Sequence, residues 1–248
     1  MDSYNTIVLH RVVEGQSKFF IDITIQTFRQ ILKGSMAIGQ LVSIDQATVT
    51  SGHAMRKIGL TFDDGFSSDH DLVLPELKRI KATATFFIVT DWLETPGYLT
   101  KQQVQNLSKA GMQIGSHSKS HPNFLTISPQ ERLDELRESK LILENIIGKE
   151  ISTFSFPFGF CDEACTEAVF AANYSICCTS AHGLSSSSSA VVSRNSINAN
   201  TSLNRINKIL RAGLIQRILW YFEDIIKGNM KQSFPRSYVV IRNLFSSV

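Results

Sequence analysis

Two patterns of apolar and polar residues alternate along the chain. Short continuous apolar runs rich in Val, Ile and Phe read as buried strands, and longer segments with apolar residues every three or four positions read as amphipathic helices. The runs predict strands over 6–13, 18–23, 40–44, 57–62, 83–89, 112–115, 151–156 and 174–179, with a last short one at 190–194. The helical period predicts helices over 24–33, 69–81, 100–110, 128–147, 162–172, 204–210 and 214–226. Boundary residues support several of them. Gly34 is a stop signal, Thr100 and Gly111 bracket one helix, and Ser128-Pro129-Gln130-Glu131 is a serine cap with proline and glutamate in the first turn. Pro75 is expected to interrupt the helix over 69–81. The serine run 185–189 reads as a flexible loop. Strand–helix alternation argues an α/β architecture with parallel strands, in which sites form beyond the carboxyl ends of the strands.

The strand over 57–62 runs directly into Asp63-Asp64-Gly65. Adjacent carboxylates repel and resist burial, and a metal ion on one of them would relieve both costs and leave the other as a base. An ordinary strand-to-loop turn has the same residue types. After the strand over 112–115 comes Ser116-His117-Ser118-Lys119-Ser120-His121. In a helical turn, histidines at i and i+4 share one face and can grip one ion, with the serines bonded to the local backbone. A solvated polar turn is the alternative. With Asp64, the histidines make three ligands of types that suit zinc, leaving a fourth position open.

Thr61-Phe62-Asp63-Asp64-Gly65, His117-Ser118-x-x-His121 and Phe154-Ser155-Phe156-Pro157-Phe158-Gly159 together resemble the three leading motifs of the polysaccharide deacetylases, the NodB-homology carbohydrate esterases. The resemblance covers roughly residues 5–210. It implies a distorted, incomplete (β/α) barrel and metal-dependent hydrolysis of an N-acetyl group on a sugar. It further implies that Asp64, His117 and His121 hold the metal, that Asp63 is the base, and that the Pro157-Phe158 turn aims the Phe158 N–H at the developing oxyanion. The implied ion is divalent, zinc first, with Co, Ni or Mn as alternatives.

The chain departs from the family pattern in specific places. The usual third motif has an arginine two positions before its proline, where this chain has Ser155, and no Asp–Trp motif or late Leu-His pair follows. Arg194 is the candidate replacement for the arginine that orients the base. His10, at the end of the first apolar run, is the candidate general acid. A strand ending in Leu-His at the start of the chain resembles a circularly permuted branch of the family, whose members act on N-acetylglucosamine polymers or cell-surface glycans. His53, His70 and His182 have no motif around them and read as surface or loop histidines.

The chain has 248 residues with a formal net charge of +3, compatible with one large α/β domain and giving no argument for nucleic acid. Cys161 and Cys165 lack the matching second pair of a zinc–cysteine site, and Cys177 and Cys178, in a strand-like run, read as small buried apolar residues. The division expected is a deacetylase domain over 1–204 and a basic helical extension over 205–248 packed on the barrel. The extension has eight Lys and Arg against two acidic residues, interleaved with apolar side chains, which suits either a solvated packing helix or peripheral contact with an anionic membrane. No secretory signal is visible, so the expected location is the cytoplasm, at the inner face of the membrane if the extension attaches. The expected partner is an N-acetylated glycan or a lipid-linked sugar. Two other functions fit the same residues: a metal-dependent amidohydrolase on a non-sugar amide, and a catalytically silent member that binds glycan.

Overall fold

The computed structural model describes residues 3–49 and 56–233, with side chains described to residue 225. His53 and the part of the basic extension beyond residue 233 lie outside the described residues. In chain order the elements are β1 (Ser3–Leu9), β2 (Arg11–Val13), β3 (Asp22–Thr24), α1 (Ile25–Met36), β4 (Gln40–Val42), α2 (Ile44–Thr48), β5 (Lys57–Phe62), α3 (Leu74–Arg79), β6 (Thr85–Ile88) and α4 (Lys101–Lys109). They continue with β7 (Gln113–Ser116), α5 (Pro129–Ile147), β8 (Thr153–Ser155), α6 (Glu163–Ala171), β9 (Ile176–Cys178), β10 (Leu184–Ser186), β11 (Val191–Val192), β12 (Asn195–Ser196), α7 (Leu203–Arg211) and α8 (Leu214–Ser233).

The main sheet runs β10-β1-β5-β6-β7-β8-β9-β11, with β4 added beside β5 and β12 beside β1. All pairings are parallel except β1 with β10. Curling brings the two edges almost together, giving the distorted barrel that the motifs imply. The near-closure is made by one short piece of chain. Val191 and Val192 pair with Cys177 and Cys178 of β9, and Asn195 and Ser196 pair with Ile7 and Val8 of β1. Only Ser193 and Arg194 span the seam between them. Asn195 fastens it, its amide donating to Asn5 Oδ1 at 2.7 Å and to the Gly183 carbonyl at 2.9 Å. Between the sheet and α1, Phe28, Phe62 and Phe86 pack edge-to-face and stacked at 5.8 and 5.1 Å between ring centres, burying large apolar area.

Several elements differ from the sequence expectation for identifiable reasons. The run over 6–13 breaks at His10, because β2 leaves β1 to form a separate two-stranded ribbon with β3. The ribbon is held by Arg11 Nε donating to Asp22 Oδ1 at 2.7 Å. Gly34 does not stop α1. A side chain there would meet Leu210 and Asn207 of α7 at 3.1 and 3.3 Å, so glycine allows the two helices to approach. Pro75 lies in the first turn of α3, where its missing N–H costs nothing, and a wide helical turn over Asp69–Val73 precedes it. Ile44 opens α2 rather than closing β4, and Ser185 and Ser186 of the serine run pair with β1 as β10. Among the described residues no helix is long and apolar enough to cross a membrane.

Candidate active site

The carboxyl ends of β1, β5, β7 and β8 deliver the residues picked out by the motifs to one cleft. β1 and β5 run in register, Leu9 beside Phe62, and the Asp63 N–H donates to the Leu9 carbonyl at 3.0 Å. His10 and Asp63 therefore leave adjacent strands side by side. The two aspartates then diverge. Asp64 adopts a φ of 78°, which turns its side chain away from that of its neighbour.

Asp63 is nearly fully buried and faces Arg194, whose Nη1 donates to Oδ1 at 2.6 Å and Nη2 to Oδ2 at 2.8 Å. Arg194 Nη2 also donates to Ser155 Oγ at 2.7 Å, and that hydroxyl donates onward to Asp63 Oδ2 at 3.3 Å. The guanidinium is steadied by Nε donating to the Thr179 carbonyl at 3.1 Å and by the Phe87 ring 5.4 Å beneath it. Burial alone would push the Asp63 carboxyl up. The Arg194 guanidinium, with the imidazoles of His117 and His10 nearby, holds it below the usual carboxylate range.

Asp64 faces both histidines instead. Its Oδ1 is 3.5 Å from His117 Nε2 and 3.6 Å from His121 Nε2. These separations are long for hydrogen bonds, but two ligands on one tetrahedral zinc at about 2.0–2.1 Å lie about 3.3 Å apart. Among the described residues, Asp64, His117 and His121 form the group whose donor atoms converge within 4.8 Å. His117 donates from Nδ1 to the Ser155 carbonyl at 2.8 Å, which fixes the tautomer and leaves the Nε2 lone pair for an ion. Burial opposes ionisation of Asp64, and the imidazoles of His117, His10 and His121 outweigh it, lowering the carboxyl pKa. The donor set and its spacing fit a divalent cation.

The histidine pair does not form the helical turn expected from its spacing. Ser118 and His121 both have positive φ, at 68° and 66°, so an irregular loop brings the rings together, 4.9 Å between centres. Ser118 Oγ accepts the His121 N–H at 3.0 Å, and Ser116 Oγ accepts the Ser118 N–H at 3.2 Å. Glu135 of α5 anchors the loop by accepting the Lys119 and Ser120 N–H groups at 2.8 Å each. The His121 ring is boxed between Trp92 at 5.0 Å and Phe158 at 4.6 Å. Phe158 follows buried Pro157 in a tight turn with a φ of 59°, and its ring against His121 puts the third motif beside the Asp64, His117 and His121 cluster.

Three contributors were not among the site residues expected from the sequence. Ser155, noticed only for the arginine it displaces, links Arg194, Asp63 and His117. Glu135 gives no sequence signal, because its partners lie on a different element. Asp69 is fully buried beside the cleft with neither carboxyl oxygen hydrogen-bonded. Burial, then the charges of Asp64 and Asp63, push its carboxyl well above the ordinary range. His182 is not a simple surface histidine: its Nδ1 lies 2.7 Å from Asp224 and its ring stacks on Trp220 of α8.

The sequence model of the polysaccharide deacetylase family matches residues 51–176, half of the chain. The chain belongs to the polysaccharide deacetylase family. Among curated relatives, this family member is 31% identical over 129 residues to the peptidoglycan-N-acetylglucosamine deacetylase PgdA of Listeria monocytogenes, covering 51% of this chain and 27% of that protein. It is 27% identical over 109 residues to the chitin deacetylase of Colletotrichum lindemuthianum, covering 44% of each. The chain spans less than half the length of these relatives. Its fold matches the Streptococcus pyogenes deacetylase PplD, solved in complex with acetate, with a TM-score of 0.75 at 19% identity over 84% of this chain and 98% of that one. It matches IcaB from Ammonifex degensii equally well, with a TM-score of 0.75 at 19% identity over 85% and 98%.

Proposed function

We propose that this family member removes N-acetyl groups from a sugar of a cell-surface polysaccharide or of its lipid-linked precursor, with a divalent ion held by Asp64, His117 and His121. The observation that carries the reading is the division of labour between adjacent carboxylates. Asp63 is clamped by a guanidinium and stays ionised, and Asp64 is aimed at two imidazoles. A carboxylate with two imidazoles suits zinc, which would supply Lewis-acid polarisation of the acetyl carbonyl and a more acidic water.

The remaining steps fall to the protein's own groups. Asp63 takes the proton from the attacking water, with Arg194 fixing the orientation of its carboxylate. The Phe158 N–H, set by Pro157, donates to the developing oxyanion. His10 gives a proton to the departing amine, which an amide needs because the unprotonated amine leaves poorly. Its position beside Asp63 on the neighbouring strand supports this role. PgdA is named for a peptidoglycan N-acetylglucosamine and the fungal relative for chitin, which supports an N-acetylhexosamine as the substrate unit.

The test is acetate release from N-acetylglucosamine oligomers and from a lipid-linked N-acetylhexosamine, each with and without chelator. Chelator-sensitive release from either supports the reading and selects the substrate form. Release from neither, alongside release from a non-sugar amide, would replace it.

A further inference from the structure

The described part of α8 is built inside out for a helix on a globular surface. Such a helix ordinarily turns its apolar stripe to the core. Here Gln216 and Trp220 are buried, and Asp224 on the same side binds the N–H of His182 at 2.8 Å and its Nδ1 at 2.7 Å. The opposite face presents Leu214, Ile215, Ile218, Leu219, Tyr221 and Phe222 to the outside, between 49% and 77% exposed. Positions 214, 218, 221 and 222 follow the i, i+4, i+7, i+8 spacing of a single helical stripe, so this is one continuous surface.

The charges around the stripe have one sign. The acidic residues on the described turns of α8 are both engaged: Glu223 accepts from Arg205 Nη2 at 2.6 Å, and Asp224 is held by His182. Arg211 and Arg217, on either side of the first apolar residues, are exposed. The helix is also fixed at both ends of the barrel. Arg56, beside the start of β5, donates to the carbonyl of Arg211 just before α8 at 2.7 Å. His182, in the loop after the carboxyl end of β9, receives Asp224. The stretch from Arg211 to Asp224 therefore runs from the amino-end side of the strands to the side where the cleft opens, with the apolar residues 214–222 outward.

We infer that this outward face of α8 docks the protein on a lipid bilayer bearing anionic headgroups. An apolar stripe flanked by arginines matches the acyl boundary and headgroup charge of such a surface. A second copy of the chain fits less well, because apposing two such faces brings like-charged arginines together with no free carboxylate between them. Docking in this orientation would hold the cleft end of the barrel beside the bilayer, where a sugar anchored to lipid is presented.

Binding to vesicles needs neither substrate nor metal, so its failure is separable from failure of the deacetylase reading. The full-length protein is floated with phosphatidylcholine vesicles and with vesicles containing phosphatidylglycerol, at low and high salt. Flotation is expected with the anionic vesicles alone, with reversal by salt. Arg211→Glu and Arg217→Glu should each weaken binding at least about fivefold, the equivalent of ~1 kcal/mol per basic residue near anionic lipid. Ile218→Glu with Phe222→Glu should abolish flotation and leave the circular dichroism and melting temperature unchanged, since both side chains point outward. Three results would overturn the inference: no flotation at low salt, equal flotation with neutral vesicles, or a concentration-dependent dimer that Ile218→Glu disperses.

Discussion

Arg194 and Asp63, far apart in the chain, meet through two parallel hydrogen bonds of 2.6 and 2.8 Å inside the barrel, where both side chains are almost completely buried. The seam between β11 and β12 places the arginine there, so closing the barrel and orienting the carboxylate are one structural event. Truncating one partner of a buried charged pair leaves the other uncompensated and costs about 3–5 kcal/mol. Arg194→Ala is therefore expected to lower unfolding free energy by that order in urea melts. Arg194→Lys, which cannot reproduce the fork, should retain more stability but lose most turnover. Equal turnover of the lysine variant and the parent would show that base orientation does not depend on the guanidinium.

Asp63→Asn and His10→Gln separate the proton-handling groups from the ion-holding ones. Each variant should bind a divalent ion as the parent does and lose about 10²–10⁴-fold in turnover, the usual worth of a positioned base or acid. The acidic limb of the pH–rate profile should change in the first and the alkaline limb in the second. Loss of metal content with activity in Asp63→Asn would mean that the two aspartates have exchanged roles.

Removing the ion should weaken the fold as well as the activity. A site that binds only in the folded state adds about 4 kcal/mol at a thousandfold excess of ligand over its dissociation constant. Chelated protein should melt lower and recover on addition of zinc. His117→Ala should abolish the recovery, since that ring supplies both an ion-facing nitrogen and the 2.8 Å bond to Ser155. A melting temperature indifferent to zinc in the parent would count against Asp64, His117 and His121 as a metal site.

The chemistry was legible in the sequence where it is carried by short contiguous strings. Asp63-Asp64 follows an apolar strand, and His117 and His121 sit within one loop, so their cleft positions follow from where strands end. Their conformations were not legible. The histidine loop depends on positive φ at Ser118 and His121 and on Glu135 from another element, and none of these leaves a local pattern. Arg194 could be named only as a stand-in for the arginine that Ser155 displaces. The two-residue strands on either side of it have no periodicity, and their register is set by β9 and β1 from far away in the chain. The break at His10 was hidden for a similar reason, since residues 6–13 read as one strand until β3 is available to pair with β2.

Asp69 should make stability depend on pH in an unusual direction for a carboxylate. Its folded pKa is raised, so the folded chain keeps a proton that the unfolded chain loses near pH 3.9, about the value for a free aspartate. The contribution is complete below that pH and is lost as pH rises toward the folded pKa. In chelated protein, where Asp64 keeps its charge, Asp69→Asn should remove this decline. Urea melts of parent and variant should diverge as pH is raised from about 4 to 8. Parallel curves would mean that Asp69 is solvated or paired when folded.

The final prediction moves the guanidinium across the cleft. Ser155 is fully buried and its hydroxyl touches both Asp63 and Arg194, so the end of β8 and the seam between β11 and β12 address the same carboxylate. Ser155→Arg alone would set two guanidinium groups against one aspartate in a dry site. The unpaired buried charge should destabilise the protein by about 3–5 kcal/mol. Arg194→Ser alone should strand Asp63. In the double variant the family's usual third-motif arginine is restored and the seam residue no longer competes for space or charge. Its loss of stability should be smaller than the sum of the single losses by about 1–3 kcal/mol, the range for residues in direct contact. Turnover should rise at least about tenfold above Arg194→Ser, which is ~1.4 kcal/mol in transition-state stabilisation. Additive losses in the double variant would show that the seam arginine serves barrel closure and that the orientation of Asp63 is set elsewhere.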